Sequence, residues 1–133
     1  MTSITASASF TAWNEEPGFG PDAPLPRLAH ATIAYAYAGE VTAAGSCQYV
    51  FSYAASGRGV GVGFERVVGT LGAEPGEVVL RHDVTFSPDG VVVELAIVPD
   101  SGTGAFQRTT GSGGYTVSEG HSNWEWTLDV ERA

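Results

Sequence analysis

The feature that most constrains the fold is a period-two alternation of side chains, broken at short intervals by glycine and proline. The chain of 133 residues contains 18 glycines and seven prolines. Between them, apolar and polar residues alternate, which is typical of half-buried β-strands. Many short alternating segments separated by glycine- and proline-rich turns predict an all-β sandwich or barrel without a substantial helix.

Eight segments carry the alternation, and most connections between them are short enough for hairpins. We predict strands at residues 4–13, 28–38, 41–53, 59–70, 77–86, 91–98, 115–118 and 123–131. This succession predicts an antiparallel meander in a single domain that spans residues 1–133. If the eight strands close into a barrel, its interior has room for one small ligand.

Two segments depart from the pattern. Residues 14–27 contain four prolines and two glycines, and we interpret them as a long loop. Loops of this length are uncommon in compact domains unless they have a function, so the segment is a candidate lid. Residues 105–114 are rich in glycine, serine and threonine, and we expect them to be irregular.

The fourth and fifth predicted strands form a hairpin that places two ionisable residues on one face. Glu65 and His82 alternate there with glycines and aliphatic residues, whereas the other face carries the charged residues expected on a surface. A pairing of Val67 with Leu80 puts Glu65 opposite His82. Opposed side chains lie ~5 Å apart at Cβ, so we predict a carboxylate–imidazole hydrogen bond inside the barrel.

A buried Glu–His pair is suited to proton transfer. The carboxylate fixes the tautomer of the imidazole and raises its basicity, and the imidazole exchanges a proton near neutral pH. We therefore predict that His82 is a catalytic acid or base and that Glu65 orients it. The sequence leaves open the alternative that the two residues only satisfy each other's hydrogen bonds in the barrel wall.

Five more residues are predicted to line the interior and contact a ligand: Tyr49, Cys47, Glu94, Trp124 and Trp126. The position of Glu94 depends on the turn at residues 87–90, for which we expect a type I turn with a glycine bulge. That bulge would place Glu94 on the same face as His82. The two tryptophans contact the ligand only if their side of the last strand faces inward.

Composition argues against several classes of partner. Fifteen acidic residues and six arginines, without any lysine, give a net charge of −9, which disfavours nucleic acid and anionic membranes. We find no apolar run of the ~20 residues that a membrane helix needs and no signal peptide, so we expect a cytoplasmic protein. The single cysteine, Cys47, excludes an intrachain disulfide and a multi-cysteine zinc site. We predict neither a metal nor a cofactor.

Three segments carry a family resemblance: residues 63–72 (GFERVVGTLG), 80–82 (LRH) and 98–104 (VPDSGTG). Together they resemble a bacterial family known as domain of unknown function 3224, over about Ala8 to Leu128. The resemblance implies a small closed β-barrel related in fold to plant allene oxide cyclase, and it implies no particular reaction. By analogy of fold alone, such barrels bind elongated apolar substrates and direct a cyclisation or isomerisation in their cavity.

The leading hypothesis is a homodimeric, small-molecule-binding β-barrel that acts on an apolar substrate as an isomerase or cyclase through Glu65 and His82. One alternative is a non-catalytic carrier that uses the same cavity. Another is a structural dimer whose barrel is filled by its own side chains. Glycines on the Glu65 face favour a cavity over a filled core, because they leave space beside the strand.

Overall fold

The computed structural model describes residues 2–16, 25–118 and 122–133. Within these ranges the chain forms nine β-strands and no helix. The strands are β1 (Thr2–Glu16), β2 (Arg27–Gly39), β3 (Val41–Tyr53), β4 (Gly59–Leu71), β5 (Glu74–Ser87), β6 (Gly90–Ile97), β7 (Thr103–Gly104), β8 (Thr109–Ser118) and β9 (Asn123–Arg132). In the described part of the chain, no helix is long and apolar enough to span a membrane.

Eight of the described strands close into an antiparallel barrel, as predicted. Each long strand pairs with the next one along the chain, β8 follows β6 in the barrel, and β9 returns to pair with β1. The two-residue strand β7 lies outside this succession and pairs with the start of β5. The alternation of the sequence becomes an alternation of buried and exposed side chains along the barrel strands.

The first strand is longer than predicted. The sequence pattern assigns residues 14–16 to the loop, but they continue β1 by pairing with residues 30–32 of β2. Asn14 and Glu16 are exposed, whereas the nearly buried Glu15 side chain pairs with Arg27 at 2.7 Å, so the apolar pattern ends before the strand does. At the other end of the candidate lid, Arg27 begins β2, and residues 17–24 lie outside the described residues.

The prediction that residues 105–114 are irregular is wrong for their second half, because β8 begins at Thr109. The glycines of β8 lie so close to the backbones of the neighbouring strands that a side chain would not fit. A Cβ atom at Gly113 would overlap the backbone carbonyl oxygen of Thr127 on β9. Glycine usually weakens a strand, but here it permits close packing between β6 and β9.

One end of the barrel is covered by the segment between β7 and β8. Phe106 in this segment is buried within the core. The segment is held by the pairing of β7 with β5 and by Arg132, whose guanidinium donates a hydrogen bond to the carbonyl of Ala105. We call this end, with Phe106, Trp126 and Leu128 in its core, the packed end.

Candidate functional site

A cavity of about 520 Å³ lies at the opposite end of the barrel, where the β3–β4 and β5–β6 turns contribute to its wall. We call this the cavity end. Its wall is mainly aromatic, and the described residues that line it include no charged side chain. Such a volume with a few polar groups in an apolar wall is typical of small-molecule sites.

The aromatic wall is braced by contacts between its own rings. Trp124 stacks on Tyr115 with 5.0 Å between ring centroids, and it meets Tyr35 edge-on at 5.9 Å. Tyr49 stacks on Phe51 at 5.1 Å. Because each ring is held by its neighbours, the cavity is formed before any ligand enters.

Glu65 and His82 make the predicted contact beneath the cavity. Both side chains are fully buried, and His82 Nε2 lies 2.7 Å from Glu65 Oε1. The predicted register was wrong by two residues, since Leu80 pairs with Glu65 and Gly63 pairs with His82. The side chains still share a face because orientation repeats every two residues along a strand, and they meet diagonally.

Glycines on the neighbouring strands leave space for this buried group. A Cβ atom at Gly45 on β3 would overlap the Glu65 carboxylate, and one at Gly63 would overlap the ring of Tyr49. The space beside these glycines is therefore filled by the protein's own side chains. The cavity itself is bounded by other residues.

The Glu–His pair belongs to a chain of five hydrogen-bonded side chains, which we call the relay. Tyr37 donates its hydroxyl hydrogen to Glu65 Oε2. On the other side, the Tyr49 hydroxyl lies 2.7 Å from His82 Nδ1, and the Tyr35 hydroxyl lies 2.7 Å from that of Tyr49. The order is Tyr35, Tyr49, His82, Glu65, Tyr37. Its first two members line the cavity, whereas His82, Glu65 and Tyr37 are behind the wall.

The hydrogen bonds from His82 to Tyr35 can run in either of two directions. The direction depends on whether His82 Nδ1 carries a proton. With a neutral imidazole whose Nε2–H donates to Glu65, Nδ1 accepts from Tyr49 and Tyr49 accepts from Tyr35. With a further proton on Nδ1, His82 donates to Tyr49, Tyr49 donates to Tyr35, and the Tyr35 hydroxyl hydrogen is released toward the cavity. The protonation state of a buried imidazole thus decides whether the wall offers an acceptor or a donor.

Burial keeps the tyrosine hydroxyls and the cysteine thiol in and around the relay protonated. It raises the pKa of Tyr35, Tyr37, Tyr49 and Tyr115 above the usual range of tyrosine, because the phenolate form loses its hydration. Burial also raises the pKa of the Cys47 thiol to about 12. Cys47 is therefore a neutral core residue and not a thiolate nucleophile.

The other predicted site residues separate into two groups. Tyr49 and Trp124 line the cavity, whereas Cys47 and Trp126 are buried in the core and are not part of the described cavity wall. The prediction that Glu94 shares the His82 face is wrong. Ser87 pairs directly with Gly90 without a bulge, so Leu95 lies opposite His82 and Glu94 projects from the outer surface.

Sequence reasoning missed Tyr35, Tyr37 and Tyr115 as members or neighbours of the site. The first two had a detectable signal, since they are tyrosines on a single face of an otherwise alanine-rich strand. What the sequence does not reveal is that β2 and β5 bring their inward faces together across the barrel. In the described part of the chain, no cluster of three His, Cys, Asp or Glu side chains is placed to bind a metal ion.

The fold and the site define a small closed antiparallel β-barrel with an aromatic internal cavity. The chain belongs to the family described as "Protein of unknown function (DUF3224)", which matches residues 4–129. A crystal structure of a protein of unknown function from this family, from Shewanella oneidensis MR-1, superposes with a TM-score of 0.77. The two sequences are 23% identical over 98% of each chain, so this likeness supports the fold alone. No curated protein matches the sequence.

Proposed function

We propose that the barrel binds a small, mainly apolar molecule with an oxygen-bearing group, and isomerises or cyclises it by proton transfer without a cofactor. The observation that carries this proposal is the relay, which begins in the cavity wall at Tyr35 and Tyr49 and ends at a fully buried Glu–His pair. The relay gives the buried pair a hydrogen-bonded connection to a ligand in the cavity.

The proposed roles differ from those expected from sequence. His82 does not line the cavity, so it exchanges a proton with the substrate through Tyr49 and Tyr35. In its protonated form the relay donates to a substrate carbonyl, and in its neutral form it accepts a proton from the substrate. Glu65 holds the imidazole in place, and Trp124 packs against the apolar part of the substrate.

Binding in the cavity is tested with a matched pair of neighbouring substitutions. Val91 lines the cavity, whereas Val92 lies on the outer face of the same strand. We expect Val91→Trp to fill the cavity and abolish binding of a flat bicyclic ketone such as 2-tetralone, measured by calorimetry. Val92→Trp should bind like the wild type, and equal binding by both variants would place the ligand elsewhere.

Proton transfer is tested by following hydrogen–deuterium exchange at the α-carbon of the same ketone by NMR. We expect the wild-type protein to accelerate exchange and Tyr49→Phe and His82→Gln to lose about 100-fold of that acceleration, the usual contribution of a positioned acid or base. If both variants exchange the ketone at the wild-type rate, the relay has no part in the chemistry.

A non-catalytic carrier is the second candidate, and one observation favours it. The Glu–His pair is separated from the cavity by Tyr49, so a ligand in the cavity contacts neither member of the pair. A carrier binds 2-tetralone without accelerating its exchange. The two measurements together therefore distinguish the candidates.

Two further expectations remain predictions: a cytoplasmic location and a homodimer. The outer surface of β4 supports the second, because Val60, Val62 and Phe64 are about half exposed along one strand. Burial of such residues in an interface is favourable. Light scattering of the wild type and of Phe64→Lys tests it, with a dimer expected for the first and a monomer for the second.

A further inference from the structure

We infer that the cavity selects neutral molecules with an acidic hydroxyl group, such as an enol or a phenol, and binds them as anions while the relay stores their proton. This inference rests on the proposed function, since the enol of a ketone substrate belongs to this ligand class. The cavity then favours the ionised form of such a molecule over the neutral form.

Among the described residues, the Glu–His pair has one hydrogen-bonded connection to the cavity. His82 Nδ1 is bonded to Tyr49 and Nε2 to Glu65, and the second carboxylate oxygen of Glu65 accepts from Tyr37. Tyr37 is buried and is absent from the described cavity wall. A proton therefore passes between the pair and a ligand through Tyr49.

The resting relay offers an acceptor to a ligand. When Tyr49 donates to Nδ1 and Tyr35 donates to Tyr49, both hydroxyl hydrogens are already used. The Tyr115 hydroxyl is hydrogen-bonded to that of Tyr35, which leaves one lone pair of Tyr35 for a hydrogen from outside. A ligand hydroxyl supplies that hydrogen, and an ether or an unreacted ketone does not.

The proton transfer from the ligand to the relay needs no oxidant or reductant. The ligand O–H bond breaks and its proton joins the Tyr35 oxygen. The former Tyr35 proton moves to the Tyr49 oxygen, and the former Tyr49 proton moves to His82 Nδ1. The relay is then reversed, and Tyr35 donates its new hydrogen bond to the ligand oxyanion.

The charges around the cavity favour ionisation of a neutral ligand inside it over the entry of an anion from solvent. The described cavity wall has no cationic side chain, and the nearby Arg27 is paired with Glu15 at 2.7 Å. An anion from solvent would lose its hydration without meeting a counter-charge. A neutral ligand that ionises inside keeps the total charge constant, and its proton gives Glu65 a cationic partner. Cys47 stays a thiol because burial raises its pKa to about 12, so it does not compete for the proton.

The experiment uses 4-nitrophenol, whose phenolate has a distinct visible absorption band, and its methyl ether, 4-nitroanisole. Both are titrated against the wild type, Tyr49→Phe, His82→Gln and Thr116→Val at a pH where free 4-nitrophenol is neutral. Thr116→Val is the control, because it removes an exposed hydroxyl on the outer face of β8.

We expect the phenolate band to appear on binding to the wild type and to Thr116→Val. Tyr49→Phe and His82→Gln should bind 4-nitrophenol about tenfold more weakly and without the band, while their affinity for the ether is unchanged. If 4-nitrophenol binds the wild type as the neutral phenol, the inference is overturned and the proposed binding function stands. If neither probe binds the wild type, the proposed function itself is contradicted.

Discussion

The two ends of the barrel are built from the same alternating strands but have different interiors. At the packed end, Phe106 and Trp126 are almost fully buried and fill the space between strands. At the cavity end, Phe10 and Trp13 are substantially exposed and surround a cavity of about 520 Å³. Alternation thus decides which side chains point inward, while the covering segment and the sizes of the inward residues decide whether the interior is filled.

The relay lies between these two regions and connects the packed core to the cavity wall. Tyr37 lies 5.3 Å from Trp126, ring centroid to centroid, on the side of the packed core, whereas Tyr35 lines the cavity. Polar groups buried this deeply are stable only when each finds a partner. The relay satisfies them and still reaches the cavity wall.

The largest effect is expected when a member of the relay is removed from the centre of the barrel. Glu65→Ala leaves the Tyr37 hydroxyl and His82 Nε2 without their buried partner, and we expect it to lower the free energy of unfolding by about 4 kcal/mol. Urea denaturation measures this. Glu94→Ala is the matched control on the outer surface, and a loss of the same size there would show that burial is not the cause.

The packed end should be more sensitive to truncation than the cavity end. We expect Phe106→Ala to lower the free energy of unfolding by about 3 kcal/mol, because it leaves a hole in a filled core. Phe10→Ala, at a residue that is 36% exposed, should cost about 1 kcal/mol. Equal losses in thermal or urea denaturation would contradict the distinction between the two ends.

Alkaline pH should destabilise the relay through its tyrosines. Above pH ~10 the phenols ionise in the unfolded chain, whereas burial keeps those of Tyr35, Tyr37 and Tyr49 protonated in the folded protein. The unfolded state then binds fewer protons, so stability falls as pH rises, by about 1.4 kcal/mol per pH unit for each tyrosine. Denaturation between about pH 9 and 11 measures the slope of stability against pH. Tyr37→Phe should reduce this slope by the contribution of one tyrosine, about 1.4 kcal/mol per pH unit. An unchanged slope in that variant would show that Tyr37 ionises equally in both states.

The smallest effect is expected on the outside of the barrel. Arg66 and Glu77 form an ion pair at 2.8 Å, but the Arg66 side chain is 66% exposed. Solvent screens such pairs, so Arg66→Ala should change the free energy of unfolding by less than about 1 kcal/mol. A loss comparable to that of Glu65→Ala would contradict the contrast between interior and exterior.

The sequence contained enough information for the barrel, the third strand with its correct bounds, and the contact between Glu65 and His82. These follow from the alternation of side chains, which depends on neighbours in the chain. The position of Glu94 was wrong because a single residue in the turn at 87–90 reverses every later side chain. The sequence does not predict that Tyr35 and Tyr37 belong to the same hydrogen-bonded chain as Glu65 and His82. The curvature that brings β2 toward β5 is a property of the closed barrel.

The most direct test of the central claim, that the buried pair communicates with the cavity through Tyr49, is the ¹⁵N NMR spectrum of the His82 imidazole with and without 4-nitrophenol. His82→Gln identifies its resonances among those of the three histidines. We predict that Nδ1 is unprotonated in the free protein and becomes protonated when the phenol binds, while Nε2 keeps its proton toward Glu65. If the phenol binds in the cavity and both nitrogen resonances stay unchanged, the claim is contradicted.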